Sequence, residues 1–154
     1  MFAACLAIAQ TSGLPGLVKY TGPPGYKRDV KRAPEGRIAF FAPEKDNYSP
    51  SVMLKTYKAM PNQTAASLGK DTVQAMSQAQ DIKLHKYGEF TLAGKPAFSI
   101  RLDLKLYDDM KVAQRQIIVI HKGKAVIWTC SALAKSSAVP MAAFEKSLKG
   151  VVWL

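Results

Sequence analysis

The sequence predicts an α+β fold in which an antiparallel β-sheet is flanked by helices. Apolar and polar side chains alternate over residues 100–107, which is the period-two pattern of a half-buried strand. Two apolar runs, residues 117–120 and 125–133, follow with no room between them for a crossover helix. A closing helix then carries apolar residues at Met141, Phe144, Leu148, Val151 and Val152. Helices that are segregated from runs of strands favour an α+β sandwich over a doubly wound sheet.

The remaining elements follow from periodicity and turn residues. Strands are predicted over residues 37–42, 51–59, 82–92, 97–106, 112–121 and 125–133, and the stretch 82–92 is expected to be broken at Gly88. A helix begins after Thr64, which can cap it, and runs to about residue 80. Gly69 inside that helix costs about 1 kcal/mol relative to alanine. Lys122 and Gly123 form a short hairpin turn between the last two strands.

Composition indicates one folded domain with a strongly basic surface. A chain of 154 residues is the size of a single domain that builds a core without metal or disulfides. The net charge is +11, and only five of the 22 basic residues are arginine. Arginine binds phosphates and base edges through two parallel hydrogen bonds, whereas lysine offers only a point charge. The excess of lysine therefore favours a basic soluble surface over a module that reads nucleic-acid sequence. It remains compatible with a membrane surface, a polyanion or an acidic protein partner.

The beginning of the chain resembles the end of an export signal. Residues 1–9 are apolar and small, and Ala7-Ile8-Ala9 has the form of a signal-peptidase site. We therefore expect residues 1–9 to be the remnant of a signal peptide. Residues 2–5 also resemble a lipoprotein cleavage box, which would make Cys5 a lipidation site, although phenylalanine stands where leucine is usual. Residues 10–25 are rich in glycine and proline and predict a flexible linker, and residues 26–154 form the domain.

A family resemblance lies in the second half of the chain. Residues 88–97, Gly-Glu-Phe-Thr-Leu-Ala-Gly-Lys-Pro-Ala, resemble the strand–turn–strand segment of the PsbP/Mog1/DcrB-like superfamily. The later pattern is similar to that group as well: a long strand with Gln116, a glycine turn, a strand ending in small residues, and a helix with Phe144 and Leu148. Residues 41–43, Phe-Ala-Pro, stand where the group has an aromatic-rich strand ending in proline. The resemblance covers roughly residues 26–154 and implies a Mog1/PsbP-like α/β/α sandwich.

The resemblance implies a function class but no chemistry. Members of the group are mostly non-enzymatic: photosystem accessory subunits, envelope proteins and lipoproteins, secretion adaptors and binders of small GTPases. It implies a non-catalytic accessory domain that is exported, periplasmic or extracellular, and that acts through a protein partner in the cell envelope without a cofactor. A basic domain that binds a polyanion, a nucleic acid or a membrane surface is the second hypothesis. An enzyme with an unrecognised site is the third.

The residues considered for chemistry favour structural interpretations. Only His121 and Cys130 are placed to approach each other across the last hairpin, which is too few ligands for zinc. Cys130 lies in an apolar run and is expected to pack as a small hydrophobe. His85 stands in a polar stretch, and Asp108-Asp109 is expected to form a turn.

The densest cluster of charge lies before the first long strand. Its candidate contacts for an anion or an acidic partner are Lys27, Arg28, Lys31, Arg32 and Arg37. The alternative is an edge strand whose lysines prevent aggregation. We expect the working surface of the domain to be either this basic edge or the polar face of the sheet.

Overall fold

The computed structural model describes residues 14–32, 37–107 and 109–154. The strands of this part of the chain are β1 (Val18–Lys19), β2 (Lys27–Arg28), β3 (Arg37–Phe41), β4 (Ser51–Lys58), β5 (Ile82–Leu92), β6 (Lys95–Lys105), β7 (Lys111–His121), β8 (Lys124–Leu133) and β9 (Val152–Trp153). Its helices are α1 (Ala65–Ser77) and α2 (Ala138–Ser147). No helix of the described residues is long and apolar enough to cross a membrane.

Seven of the described strands form one antiparallel sheet, in the order β2-β3-β4-β8-β7-β6-β5. The predicted α+β class is confirmed, because α1 packs on one face of this sheet and α2 on the other. We call these faces the α1 face and the α2 face. Side chains of strand β6 alternate between the two faces, with Ile100 and Leu102 on the α1 face and Arg101 on the α2 face.

Helix α1 covers only the β5-β6-β7 half of its face. Thr64 caps it as predicted, since the Thr64 Oγ1 accepts from the Ser67 backbone N–H over 3.0 Å. The helix packs on a cluster built around Phe98, Ile100 and Ile118. Gly69 is buried there, where a Cβ would lie 2.2 Å from the ring of Phe98. The glycine therefore allows the helix backbone to approach the sheet closely.

The α2 face holds the larger part of the core. Trp128 is fully buried at its centre, and the rings of Tyr20 and Trp153 meet it edge-on at 6.0 and 5.8 Å. Phe144 of α2 closes the layer. The described segment of residues 14–20 lies in this layer, with Val18 opposite Trp153 in the β1–β9 pair.

Three sequence predictions are corrected by these contacts. The flexible linker over residues 10–25 is wrong for residues 14–20, because Leu17, Val18 and Tyr20 are buried in the core; the start of that linker and the signal remnant lie outside the described residues. The closing helix does not reach Val152, because α2 ends at Ser147 and the chain re-enters an extended conformation to pair with β1. Strand β5 continues through Gly88 without a break.

Candidate functional site

The half of the α1 face that α1 leaves uncovered is polar, although it includes the central strand β8. In one cross-strand row, Met53 of β4 lies opposite Thr129 of β8, which lies opposite Gln116 of β7. In the next row, Ser131 of β8 lies opposite Gln114 of β7. Strands β7 and β8 thus turn polar side chains toward the same surface, where β6 carries the apolar residues Phe98, Ile100 and Leu102.

These rows form the floor of an open hollow of about 270 Å³. We call it the sheet hollow, and it is lined by Arg37, Ser51, Met53, Lys55, Gln114, Gln116, Thr129 and Ser131. The Gln114 Nε2 donates to the Ser131 Oγ over 3.1 Å. Burial raises the pKa of Tyr48, whose hydroxyl meets Ser131 at the border of the hollow. The floor is therefore a fixed array of amide and hydroxyl groups.

One side of the sheet hollow is positively charged. Arg37 of β3 lies directly opposite Lys55 of β4. Like charges at opposed positions of neighbouring strands destabilise a sheet by a fraction of a kcal/mol up to about 1 kcal/mol. Both side chains project over the same hollow, so a carboxylate placed there would relieve their repulsion.

The five basic residues singled out in the sequence do not form one patch. Lys27 and Arg28 lie on the short edge strand β2, opposite Phe41 and Phe40, so that their side chains point to different faces. Arg37, at the start of β3, is the member that reaches the sheet hollow.

Two other members of this group lie near Asp29 after β2. The Lys31 backbone N–H donates to the Asp29 Oδ1 over 2.9 Å, and the Arg32 guanidinium is 3.4 Å from the Asp29 carboxylate. The guanidinium carbon of Arg32 also lies 4.9 Å from the ring centre of Phe41. Arg32 is therefore engaged within the domain.

The residues considered for catalysis are held apart. Cys130 lies opposite Arg115, and His121 lies opposite Lys124 at the far end of the same hairpin. Six residues of extended strand separate the two positions, which is about 20 Å. Burial raises the pKa of the Cys130 thiol to about 12, which disfavours the reactive thiolate at neutral pH. Cys130 is buried, as its apolar neighbours predicted.

The histidines and the aspartate turn have structural partners. The His85 Nε2 is 3.0 Å from the Asp103 carboxylate, and the His121 Nε2 is 2.8 Å from the Leu154 carbonyl oxygen. Asp109 has a positive φ of 60°, which suits a turn; Asp108 lies outside the described residues. Within the described part of the chain, no group of three His, Cys, Asp or Glu side chains is placed to hold a metal ion.

The polar face of the sheet was expected as a working surface, but of the residues that line the sheet hollow only Arg37 was among the predicted site residues. Their signal in the sequence is that polar residues stand at alternate positions of neighbouring strands: Gln114 and Gln116 in β7, and Thr129 and Ser131 in the largely apolar β8. The register that brings the four together is set by the turn at Lys122 and Gly123, not by either strand alone.

Comparison with known proteins finds solved structures that share this fold but assigns no activity to the chain. No protein family model matches the sequence, and no curated protein matches it. Several solved structures, in contrast, are similar to this chain in fold. Cyanobacterial PsbP (CyanoP) from Synechocystis sp. PCC 6803 has a TM-score of 0.62 and 16% identity, over 89% of this chain and 86% of CyanoP.

Two further structures are similar over most of their length. LpqN, involved in cell envelope biogenesis of Mycobacterium tuberculosis, has a TM-score of 0.67 and 16% identity, over 88% of this chain and 82% of LpqN. A protein of unknown function, PA94 from Pseudomonas aeruginosa, has a TM-score of 0.65 and 14% identity, over 82% of this chain and 88% of PA94. The resemblance to PsbP-like proteins is thereby confirmed as a shared fold.

Proposed function

We propose that this chain is a non-catalytic accessory domain that works outside the cytoplasm by binding an acidic segment of a protein partner in the cell envelope. The observation that carries the proposal is the sheet hollow. It is a polar, partly cationic surface over the central strands of the sheet, at the place where α1 stops covering it. The folds of CyanoP and LpqN, the latter involved in cell envelope biogenesis, support the class and the location.

The chemistry of the sheet hollow supports an extended acidic segment as the occupant. Arg37 and Lys55 offer two adjacent cations, and Gln114 and Gln116 offer amides that both donate and accept hydrogen bonds. A chain with a net charge of +11 attracts an acidic partner over a distance and orients it on approach. The protein therefore combines long-range attraction with a local array that recognises polar groups.

Site-specific photocrosslinking in the source cells tests this proposal. A photoreactive residue in place of Met53, on the floor of the sheet hollow, is expected to give one discrete protein adduct. The same residue in place of Val152, which is exposed on β9 in the layer on the α2 face, serves as the position control. The charge reversal Lys55→Glu in the Met53 probe is expected to remove the adduct, while Lys149→Glu leaves it intact.

The partner recovered from the adduct decides the outcome. Binding of the purified partner must weaken by about tenfold or more on Lys55→Glu, as for a charged contact within an interface. An adduct of equal yield from both probe positions, or one insensitive to Lys55→Glu, would contradict the proposal. Recovery of nucleic acid, with an affinity that falls steeply as salt rises, would instead support the polyanion hypothesis.

A further inference from the structure

The α2 face carries a row of three cations across its outer strands. Lys86 of β5 lies directly opposite Arg101 of β6, and Arg101 lies directly opposite Arg115 of β7. Opposed like charges on neighbouring strands are destabilising. One carboxylate, that of Glu145 on α2, contacts both arginines. Three cations and one carboxylate leave two positive charges in this row.

The nearest other acidic side chains do not neutralise the row. Asp103, two residues further along the same face of β6, lies directly opposite the cation Lys83 of β5, and its carboxylate is 3.0 Å from the His85 Nε2. Glu89 lies opposite Phe98, so the alternation of the strand directs its side chain to the α1 face.

The row borders a hollow of about 300 Å³, which we call the arginine hollow. It is lined by Lys86, Tyr87, Gly88, Glu89, Phe90, Ser99, Arg101 and Arg115. Of these, Tyr87 and Glu89 belong to the α1 face by the alternation of β5, and the other six belong to the α2 face. A volume of this size is at the lower end of the range for small-molecule sites. The cations therefore face a space into which a ligand group fits.

Arg115 is the fixed element of the arginine hollow. Only 12% of its side chain is exposed. Its Nε donates to the Ser99 Oγ over 3.1 Å, its Nη1 donates to the Glu145 carboxylate, and its guanidinium carbon lies 5.9 Å from the ring centre of Phe90. Burial lowers the pKa of Arg115 and the Glu145 carboxylate opposes that effect, while the guanidinium keeps its charge.

Gly88 provides the space. It lies in the middle of β5, directly opposite Ser99, and a Cβ added there would meet nothing within 4 Å. Glycine inside a strand weakens the strand and commonly marks a position where a ligand or another backbone approaches closely. Because no neighbouring backbone fills this space, Gly88 is an open position in the wall of the arginine hollow.

We propose that the arginine hollow binds the phosphate group of a small molecule or of a lipid headgroup. A phosphate monoester carries a charge of about −1.5 to −2 at neutral pH, which matches the two positive charges left in the row. Guanidinium groups recognise phosphate oxygens through paired hydrogen bonds, and Lys86 adds a mobile point charge at the rim. The arginine hollow is on the face opposite the sheet hollow, so this inference is independent of the proposed function.

Titration of the protein with inorganic phosphate tests the proposal. Saturable binding is expected by calorimetry, together with a shift of the Gly88 amide resonance, and chloride at equal ionic strength should give neither. Gly88→Val fills the arginine hollow and should weaken phosphate binding by about tenfold or more, while the thermal midpoint stays equal or rises because valine favours strands.

A matched pair of lysine variants provides the second measurement. Lys86→Gln is expected to weaken phosphate binding by about tenfold, as for the loss of one charge-assisted hydrogen bond. Lys58→Gln removes one positive charge from β4 by the same substitution and should leave phosphate binding unchanged. This pair decides the question if Gly88→Val does not fold.

Vesicles distinguish the two sources of phosphate. Binding to phosphatidic acid in phosphatidylcholine vesicles that is lost in Gly88→Val identifies a headgroup. Binding of inorganic phosphate without such vesicle binding identifies a soluble phosphate compound. The absence of saturable phosphate binding, equal binding by Gly88→Val, or equal losses in Lys86→Gln and Lys58→Gln would overturn the proposal.

Discussion

At Gly69 the chain has no side chain because the ring of Phe98 occupies the place of a Cβ, with ring atoms at 2.2 to 2.8 Å. At Gly88 the same added atom would meet nothing within 4 Å. The two glycines are therefore required for different reasons, one for the contact between helix and sheet and the other for the open space of the arginine hollow.

Gly69→Ala is expected to lower the free energy of unfolding by about 1–3 kcal/mol, because Phe98 must shift within a packed cluster. This loss opposes the higher helix propensity of alanine. Denaturant unfolding measures it, with Gly88→Ala as the matched variant at an open position. Equal effects of the two substitutions would show that the contact with Phe98 is not what requires Gly69.

The buried thiol of Cys130 is expected to lower the free energy of unfolding as pH rises in the alkaline range. Burial raises its pKa in the folded protein from the ordinary 9.0 to about 12. Above the unfolded value, the unfolded chain loses a proton that the folded chain retains. The contribution is therefore complete below about pH 9 and is lost as pH rises toward about 12, with a slope of about 1.4 kcal/mol per pH unit.

Cys130→Ala should flatten the fall of unfolding free energy between about pH 9 and about pH 10, as measured by urea unfolding. Tyr26→Phe is the matched control. Burial also raises the pKa of Tyr26 to about 12, but from an ordinary value of 10.0, so its effect begins one pH unit higher. An unchanged slope in Cys130→Ala would show that the thiol does not titrate as its burial requires.

At the scale of elements, the N-terminal segment is part of the core layer on the α2 face. Strand β1 pairs with β9, at the other end of the described chain. Tyr20 is 1% exposed, its ring meets Phe40 edge-on at 5.7 Å, and its hydroxyl is 2.7 Å from the Ser147 Oγ. These contacts join the segment to β3 and to the end of α2.

Tyr20→Ala is expected to lower the free energy of unfolding by about 3–5 kcal/mol, the range for deleting a buried aromatic ring. Tyr20→Phe should cost about 1 kcal/mol, since it removes only the hydrogen bond. The exposed neighbour serves as a control, with Lys19→Ala expected to have little effect in the same urea titration. Equal stability of Tyr20→Ala and Lys19→Ala would restore the linker interpretation.

At the scale of the whole molecule, the central strands join the two core layers. Ile117 of β7 packs on the α2 face, and its neighbour Ile118 packs on the α1 face. Strand β8 does the same with Trp128 and Ile127. Because each layer rests on the same strands, we expect both to unfold together.

Ile117→Ala and Ile118→Ala should each lower the free energy of unfolding by about 2–5 kcal/mol. Both should shift one transition in which tryptophan fluorescence, reporting on the α2 face, coincides with far-ultraviolet circular dichroism. A change in the dichroism midpoint of Ile118→Ala without a change in its fluorescence midpoint would show that the α1 layer unfolds separately.

The predictability of each part of the fold follows the range of the contacts involved. The alternation around Ile100 and the turn at Lys122 and Gly123, both of which have positive φ, are local signals, and both predictions hold. The β1–β9 pair has no such signal, because two-residue strands show no period. Among the candidate sites, Arg37 was singled out for its charge, whereas Gln116 became part of a site only through its register with Thr129.

The sequence alone accounts for the strands β3 to β8, the two helices and the basic charge, since alternation, caps and turns act between near neighbours. Only tertiary packing accounts for the buried N-terminal segment, the sheet hollow and the row of Lys86, Arg101 and Arg115. Each of these depends on which residues of different strands lie opposite one another, and for the β1–β9 pair those strands lie at opposite ends of the described chain. A shift of one residue in register would move every such side chain to the other face.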